Sequence, residues 1–210
     1  MNSKDDFLLL ILSSPSGAGK TTLTRRLLGH CPELLFSVSH TTRPARANEV
    51  NGRDYHFVDR TTFLDLAATG AFLEWAEVHG NLYGTSTAEI DRARAVRGCN
   101  GMLFDIDYQG ARQIKSKVTD VVAAFILPPS MVELERRLRG RASETEETLK
   151  RRFEVAKREI EHYGLFDYLV VNDDLDRAVD ELRSIVVAER ALRPRRAHLA
   201  ESLLRTGRLV

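Results

Sequence analysis

The sequence has few of the residues that stabilise secreted or metal-bound domains. It contains two cysteines, Cys31 and Cys99, whose separation fits neither a disulfide framework nor a cysteine metal site. We expect both to be small, reduced side chains in a cytoplasmic protein. Four histidines also lack a metal-like spacing and are expected at the surface: His40, His56, His79 and His162.

A strong charge imbalance and long apolar runs are also missing. With 31 basic and 30 acidic residues, the net charge of +1 gives no reason to expect binding to nucleic acid or to a membrane surface. No apolar run approaches the ~20 residues of a membrane span. Residues 1–6 are polar and acidic, which is a poor secretion signal. A chain of 210 residues, 43% of them hydrophobic, is predicted to form a single domain over residues 1–210.

The most informative stretch is residues 14–21, SPSGAGKT. An apolar run at 7–12 precedes it and reads as a buried strand, and Leu23 and Leu27 follow with the spacing of an inner helix face. Strand, glycine-rich turn and helix together are the context that a phosphate-binding loop requires. A glycine-containing surface turn is the alternative interpretation.

The chemistry of this loop depends on four residues. Gly17 and Gly19 allow several N–H groups to point inward at a helix N-terminus, which forms an anion-binding bowl. Lys20 can reach the outer phosphates of a nucleotide, and the Thr21 hydroxyl can ligate Mg²⁺. The first position of the usual pattern is glycine, whereas this chain has Ser14 there.

Alternating strands and helices along the chain predict a three-layer α/β/α fold around a five-stranded parallel sheet. The predicted strands lie near residues 7–12, 34–38, 101–105, 121–127 and 168–171. Residues 39–92 are predicted to be an inserted α+β subdomain, and residues 129–163 a mobile helical lid. Capping boxes predict helix starts at Ser86–Glu89, Ser130–Glu133 and Ser143–Glu146.

Several polar residues have an ordinary structural interpretation when they are read alone. Arg43 and Arg46 fit a solvated loop, and Glu74 fits the solvent face of an alternating strand. Either Asp105 or Asp107 could be a helix N-cap. Two aromatic residues are expected in the core: Trp75 and Tyr108.

Eight stretches, taken in order, are far more specific than the loop alone. They are residues 15–21 (PSGAGKT), 41–46 (TTRPAR), 51–55 (NGRDY), 72–76 (FLEWA), 83–85 (YGT), 105–110 (DIDYQG), 138–141 (LRGR) and 171–175 (VNDDL). With them the chain resembles the guanylate kinase family over roughly residues 7 to 190. The resemblance implies that ATP donates its γ-phosphate to GMP, and also to dGMP, with Mg²⁺, in purine metabolism.

The resemblance also implies a division of the chain and a role for each matching residue. The core would comprise 7–38, 93–128 and 164–192, with a GMP-binding insertion at 39–92 and a lid at 129–163. ATP contacts would be Ser14, Pro15, Ser16, Gly17, Ala18, Gly19, Lys20, Thr21, Thr22 and Asn172. GMP contacts would be Ser39, Arg43, Arg46, Tyr55, Glu74, Tyr83, Thr85 and Asp107. Catalytic residues would be Lys20, Arg43, Arg137, Arg141 and Arg152. The metal would be held by Thr21 and, through water, Asp105.

The chemistry of these residues agrees with such roles. Guanidinium groups bind a phosphate bidentately, and a carboxylate at Glu74 accepts hydrogen bonds from guanine N1–H and the 2-amino group, which adenine does not offer. Two rival functions are a phosphopeptide-binding module on the same scaffold and a kinase for another small molecule, such as a sugar phosphate. Lys20, Thr21 and the lid arginines argue against the first, and Glu74 with its neighbours against the second.

The basic tail at 193–210 lies outside the resemblance. Residues 190–210 contain six arginines and one glutamate. We expect either a short amphipathic helix packed through Leu199, Leu203 and Leu204, or a solvated extension. A monomer and a homodimer are both compatible with the sequence.

Overall fold

Nine strands and eight helices form an α/β/α sandwich with a second, smaller sheet in the computed structural model, which describes residues 6–78, 80–140 and 145–209. The strands are Leu8–Ser13 (β1), Leu34–Phe36 (β2), His40–Thr41 (β3), His56–Phe57 (β4), Phe72–Val78 (β5), Asn81–Ser86 (β6), Gly101–Asp105 (β7), Val121–Leu127 (β8) and Tyr168–Val171 (β9). The helices are Lys20–His30 (α1), Arg60–Ala68 (α2), Ala88–Ala95 (α3), Tyr108–Lys117 (α4), Met131–Arg139 (α5), Glu146–Glu161 (α6), Leu175–Ala191 (α7) and Arg193–Thr206 (α8).

The main sheet has the strand order β2-β7-β1-β8-β9, and every pair in it is parallel. All six residues of β1 are buried, as expected for a central parallel strand with both faces covered. Alternate residues of β1 point to opposite layers. Leu10 packs with α1 and α7, whereas Ile11 packs with α3 and α4. The predicted three-layer fold with five parallel strands is confirmed.

The second sheet, of order β4-β3-β6-β5, lies within residues 39–92. Helix α2 packs on it through a small cluster of Phe63, Phe72 and Leu82. Helices α5 and α6 form a separate cluster through Leu134, Leu138, Leu149 and Ala156. The division into core, insertion and lid at the predicted boundaries stays a prediction.

Some local predictions were wrong. Thr87, not Ser86, precedes α3, and Glu89 does not cap that helix, because its buried carboxylate accepts the Val38 N–H at 2.8 Å. Helix α6 is capped by Thr145, while Ser143 lies outside the described residues. The Ser130 cap on α5 is confirmed.

Several side chains also lie elsewhere than expected. Trp75 is 39% exposed rather than in the core, since it faces outward over Phe63. Tyr108 is only half-buried and stacks on His162, with 3.9 Å between the ring centres. His40 is half-buried beside His56, and burial lowers its pKa. In the part of the chain that the structure describes, no helix is both long and apolar enough to cross a bilayer.

The basic tail forms helix α8, and of the three expected leucines only Leu199 is half-buried. Leu203 and Leu204 are exposed, and the buried positions are Arg195 and Ser202. Arg195 is 1% exposed and donates a 2.7 Å hydrogen bond to Asp120, just before β8. A buried ion pair thus contributes to the attachment of the tail to the core.

This attachment leads to a stability prediction. Arg195→Ala should lower the free energy of unfolding by about 3 kcal/mol, because Asp120 loses its partner in a buried ion pair. Arg196→Ala, at an exposed position of the same helix, should change it by less than about 0.5 kcal/mol. Urea denaturation of both variants provides the measurement, and equal losses would contradict the proposed attachment.

Candidate functional site

The phosphate-binding loop connects the end of β1 to α1 and depends on its glycines. Gly17 and Gly19 have φ of +93° and +94°, a region that side chains disfavour. A Cβ on Gly17 would lie 3.0 Å from Leu138 Cδ2, and one on Gly19 would overlap the Asn172 side-chain amide. Glycine is therefore required at both positions by conformation and by close packing.

Two polar side chains hold the outer side of this loop. Buried Asn172, just after β9, donates its side-chain N–H to the Ala18 carbonyl at 2.7 Å. Arg137 of α5 donates to the Asn172 carbonyl at 3.0 Å and to the Ala18 carbonyl at 3.4 Å. Asn172 was expected to contact ATP and Arg137 to lie near the transferring phosphoryl group, and the structure brings both onto the loop backbone.

Lys20 lies between the loop and the end of β7. Its ammonium forms an ion pair with Asp105 and donates to the Ile106 carbonyl at 3.1 Å. Asp105 also receives a 3.4 Å hydrogen bond from the Thr24 hydroxyl. The lysine and the carboxylate expected near the metal are therefore in direct contact.

The other loop residues are arranged around this pair. Thr21 and Thr22 are exposed on the first turn of α1, and the Ser14 hydroxyl donates to the Pro15 carbonyl at 3.0 Å. That local hydrogen bond is what serine adds at the position where the usual pattern has glycine.

Helix α6 also reaches the loop. Arg152 donates to the Ser16 hydroxyl at 3.2 Å, and its place near the phosphates stays a prediction. The Glu159 carboxylate accepts the Ser16 backbone N–H at 2.9 Å, a contact that we did not predict. Its only sequence signal is the spacing of seven from Arg152, which puts both on one helix face. Arg141 lies outside the described residues.

A chain of hydrogen bonds joins the three residues expected to contact a base. The Ser39 and Thr85 hydroxyls lie 3.3 Å apart, and Thr85 donates to the Glu74 carboxylate at 2.6 Å. Glu74 is 4% exposed, so its ordinary interpretation as a solvent-facing residue is wrong. Burial, reinforced by the nearby charge of Asp107, raises the pKa of Glu74 to about 7.

The two arginines expected to bind a phosphate differ in how they are held. Arg43 donates to Glu49 at 2.8 Å and lies over the Tyr55 ring at 5.4 Å from its centre. Its hydrogen bond to Glu49 holds the pKa of Arg43 above its usual value. The Arg46 side chain is 77% exposed, and its backbone N–H donates to the same carboxylate at 2.8 Å. Glu49 was not singled out by the sequence, because it lies among other polar loop residues.

The remaining expected residues lie close by. Tyr55 and Tyr83 have ring centres 6.1 Å apart, and burial raises the pKa of Tyr55. Asp107 is the N-cap of α4 and accepts the Gln109 and Gly110 N–H groups at 2.9 and 3.0 Å. Of the two aspartates, Asp107 is therefore the cap, and Asp105 is the one that meets Lys20.

Comparisons with known proteins agree on one family. The guanylate kinase family model matches residues 8–189. A guanylate kinase of Myxococcus xanthus (strain DK1622) is 53% identical over 189 residues, which is 90% of this chain and 90% of the relative. One of Rhizobium meliloti (strain 1021) is 52% identical over 195 residues, 92% of this chain and 88% of the relative. A solved guanylate kinase from Anaplasma phagocytophilum has a TM-score of 0.77 at 34% identity and covers 100% of both chains.

The geometry of the loop yields a prediction that compares two glycines. Gly19→Ala should lower the free energy of unfolding by roughly 1–3 kcal/mol, because its φ is positive and Asn172 fills the space. Gly29→Ala, inside α1 with nothing within 4 Å, should be neutral or stabilising by up to about 1 kcal/mol. Urea denaturation distinguishes them, and a neutral Gly19→Ala would show that the loop does not need glycine there.

Proposed function

The chain belongs to the guanylate kinase family, and we infer that it is an enzyme that transfers the γ-phosphoryl group of ATP to GMP and forms ADP and GDP. The observation that carries this conclusion is the buried Glu74 carboxylate, which is linked by hydrogen bonds to Thr85 and through it to Ser39, in a chain that also has an intact phosphate-binding loop. The following roles of individual residues are proposals.

ATP binds at the loop between β1 and α1. The inward N–H groups and the N-terminus of α1 donate hydrogen bonds to the phosphates. Lys20 leaves its ion pair with Asp105 and binds the outer phosphates instead. Asn172 and Arg137 keep the loop backbone in shape through the Ala18 carbonyl. Because phosphoryl transfer depends on positioning and charge neutralisation, a rigid loop is itself part of the catalytic machinery.

GMP binds over the second sheet. Arg43, Arg46, Tyr55 and Tyr83 receive its phosphate, with Arg43 oriented beforehand by Glu49 and the Tyr55 ring. Glu74 accepts from guanine N1–H and the 2-amino group, and Thr85 and Ser39 complete the polar edge. Adenine offers no such pair of donors, so its binding would leave the buried carboxylate unsatisfied. The deoxynucleotide dGMP has the same base and is expected to be a substrate.

Arg137 and Arg152 stabilise the charge that moves between the phosphates. Both lie at the loop, through the Ala18 carbonyl and the Ser16 hydroxyl. Arg141 is assigned the same role from its position in the motif at 138–141 alone. Closure of the lid over the loop would also keep water away from the γ-phosphate.

Mg²⁺ is the expected cofactor. Thr21 on the first turn of α1 and Asp105 at the end of β7 are hard oxygen donors near Lys20, the kind of set that Mg²⁺ uses together with phosphates and water. Thr21 would ligate it directly and Asp105 through water. When bound, the ion would neutralise charge on the ATP phosphates.

The two rival functions have less support. Lys20 and the lid contacts at Ser16 favour a kinase over a phosphopeptide-binding module. The Ser39–Thr85–Glu74 chain favours a guanine acceptor over a sugar phosphate. We also propose a cytoplasmic location, in keeping with two free cysteines, Cys31 and Cys99.

The first functional prediction concerns Lys20. Lys20→Ala should lower kcat by about 100-fold or more, roughly 3 kcal/mol of transition-state stabilisation, because a charge at the phosphates is lost. Lys157→Ala, at an exposed lysine of α6 that pairs with Glu154, is the matched control. Coupled-assay turnover measures both, with circular dichroism to verify folding. Near-normal kcat for Lys20→Ala would contradict the role of the loop.

The second concerns the base. Glu74→Gln should lower kcat/KM for GMP, with a loss of about 2–4 kcal/mol of transition-state stabilisation, because the new amide donor would face a guanine donor. The KM for ATP should stay nearly unchanged. IMP, which lacks the 2-amino group, should be an intermediate substrate of the unmodified enzyme. Glu77→Gln, on the same strand but paired at the surface with Arg60, is the control. If Glu74→Gln lowers kcat/KM for GMP, IMP and AMP equally, Glu74 does not recognise the base.

A further inference from the structure

A β-bulge at the start of β5 determines where Glu74 points. Phe72 is opposite Ser86 and Glu74 is opposite Thr85, so β5 has one more residue than β6 between these two pairs, which is the extra residue of a bulge. As a result Phe72 and Trp75 both face the Phe63 ring, at 4.5 and 6.2 Å between ring centres.

The bulge sends the other two side chains to the opposite face. Leu73 packs in the main core with Ile106 and Ile114, and the Glu74 carboxylate lies against Gly110 of α4. Regular alternation would have put Leu73 and Glu74 on opposite faces. The bulge therefore aims the base-reading carboxylate into the site.

Helix α4 holds the free edge of this strand with a glutamine. Among the described residues β5 is the edge strand of its sheet, so its outer backbone groups lack a strand partner there. The Gln113 side chain accepts the Trp75 N–H at 3.2 Å and donates to the Trp75 carbonyl at 2.7 Å. One side-chain amide thus replaces a strand neighbour immediately after Glu74.

A lysine one turn further along α4 holds the bulge itself. The Lys117 ammonium donates to the Leu73 carbonyl at 2.6 Å and approaches the Phe72 carbonyl at 3.5 Å. Gln113 and Lys117 are four residues apart, so they lie on one helix face and bond to β5 on either side of Glu74.

Gly110, on the same face of α4, sets the distance between the helix and the carboxylate. A Cβ at this position would lie 2.7 Å from the Glu74 Oε2 atom. Any larger residue would therefore push the helix or the carboxylate away, and the two hydrogen-bonding side chains would lose their reach.

We infer that Gln113 and Lys117 are positioning residues for guanine recognition, which fix the bulge of β5 so that Glu74 meets the base. This inference rests on the proposed function of Glu74. Both residues hydrogen-bond to the backbone of residues 72–75, so they would act on base recognition through the strand that carries Glu74.

The charge of Lys117 supports the same conclusion. Burial raises the pKa of Glu74 to about 7, Asp107 adds to this, and Thr85 and Lys117 oppose it. The carboxylate must be ionised to accept two guanine donors, so kcat/KM for GMP should fall as the pH drops through about 7. Without Lys117 the pKa of Glu74 is higher, and the fall should begin at a higher pH.

The test compares four variants in steady-state kinetics with GMP, IMP and ATP. Lys117→Met and Gln113→Met should raise the KM for GMP by roughly tenfold, with the KM for ATP and kcat little changed. The preference for GMP over IMP should shrink, because a Glu74 side chain that is no longer correctly oriented cannot contact the 2-amino group. Lys117→Arg should retain most of the preference. Lys115→Met, which removes a lysine of α4 bonded to Asp167, should behave as the unmodified enzyme.

A double-mutant cycle and the pH profile decide the outcome. In a Glu74→Gln background, Lys117→Met should have little further effect on GMP use, because the residue it positions is gone. If Lys117→Met lowers only thermal stability, or affects GMP, IMP and ATP alike, the positioning role is wrong. If the unmodified enzyme does not phosphorylate GMP, the proposed function fails instead, which the same assay distinguishes.

Discussion

The desolvation of Glu74 is the constraint on which the proposed recognition of the base depends. The carboxylate is almost fully buried, and the Thr85 hydroxyl supplies a hydrogen bond that favours its charged form. Burial costs the charged form enough to raise the pKa to about 7, so a further hydrogen-bond donor to the carboxylate would favour that form. Guanine N1–H and its 2-amino group are donors of the required kind. In the proposed function, guanine offsets this desolvation and adenine does not, which is the source of the expected selectivity.

The two halves of the site share one short connection, residues 105–107 between β7 and α4. Asp105 and the Ile106 carbonyl hold Lys20 at the phosphate loop, while Asp107 caps the helix that holds Glu74. Because β7 is a buried strand of the main sheet, the core rather than a surface loop sets the distance between the proposed ATP and GMP sites.

The phosphate loop could be predicted from the sequence because its geometry is local. Strand, glycines and helix follow each other directly, and positive φ at Gly17 and Gly19 is what those residue types provide. The five core strands were also predictable, since parallel strands joined by helices alternate visibly along the chain. The capping box at Ser86–Glu89 failed where a distant partner prevailed, because the Val38 N–H provides Glu89 with a better-buried hydrogen bond than its own helix end.

The base site could not be derived from its own residues, and only the resemblance to a family indicated it. Residues 73–75 read as an alternating strand, for which the solvent face is the reasonable place for Glu74. What reverses this is a bulge held by Gln113 and Lys117, which come from another part of the chain and bond to backbone atoms. Because every residue has a backbone carbonyl, a side chain that bonds to the backbone of a strand does not require particular residue types in that strand. The same physical reason makes the orientation of Glu74 a property of the packed helix and strand together, rather than of either sequence alone.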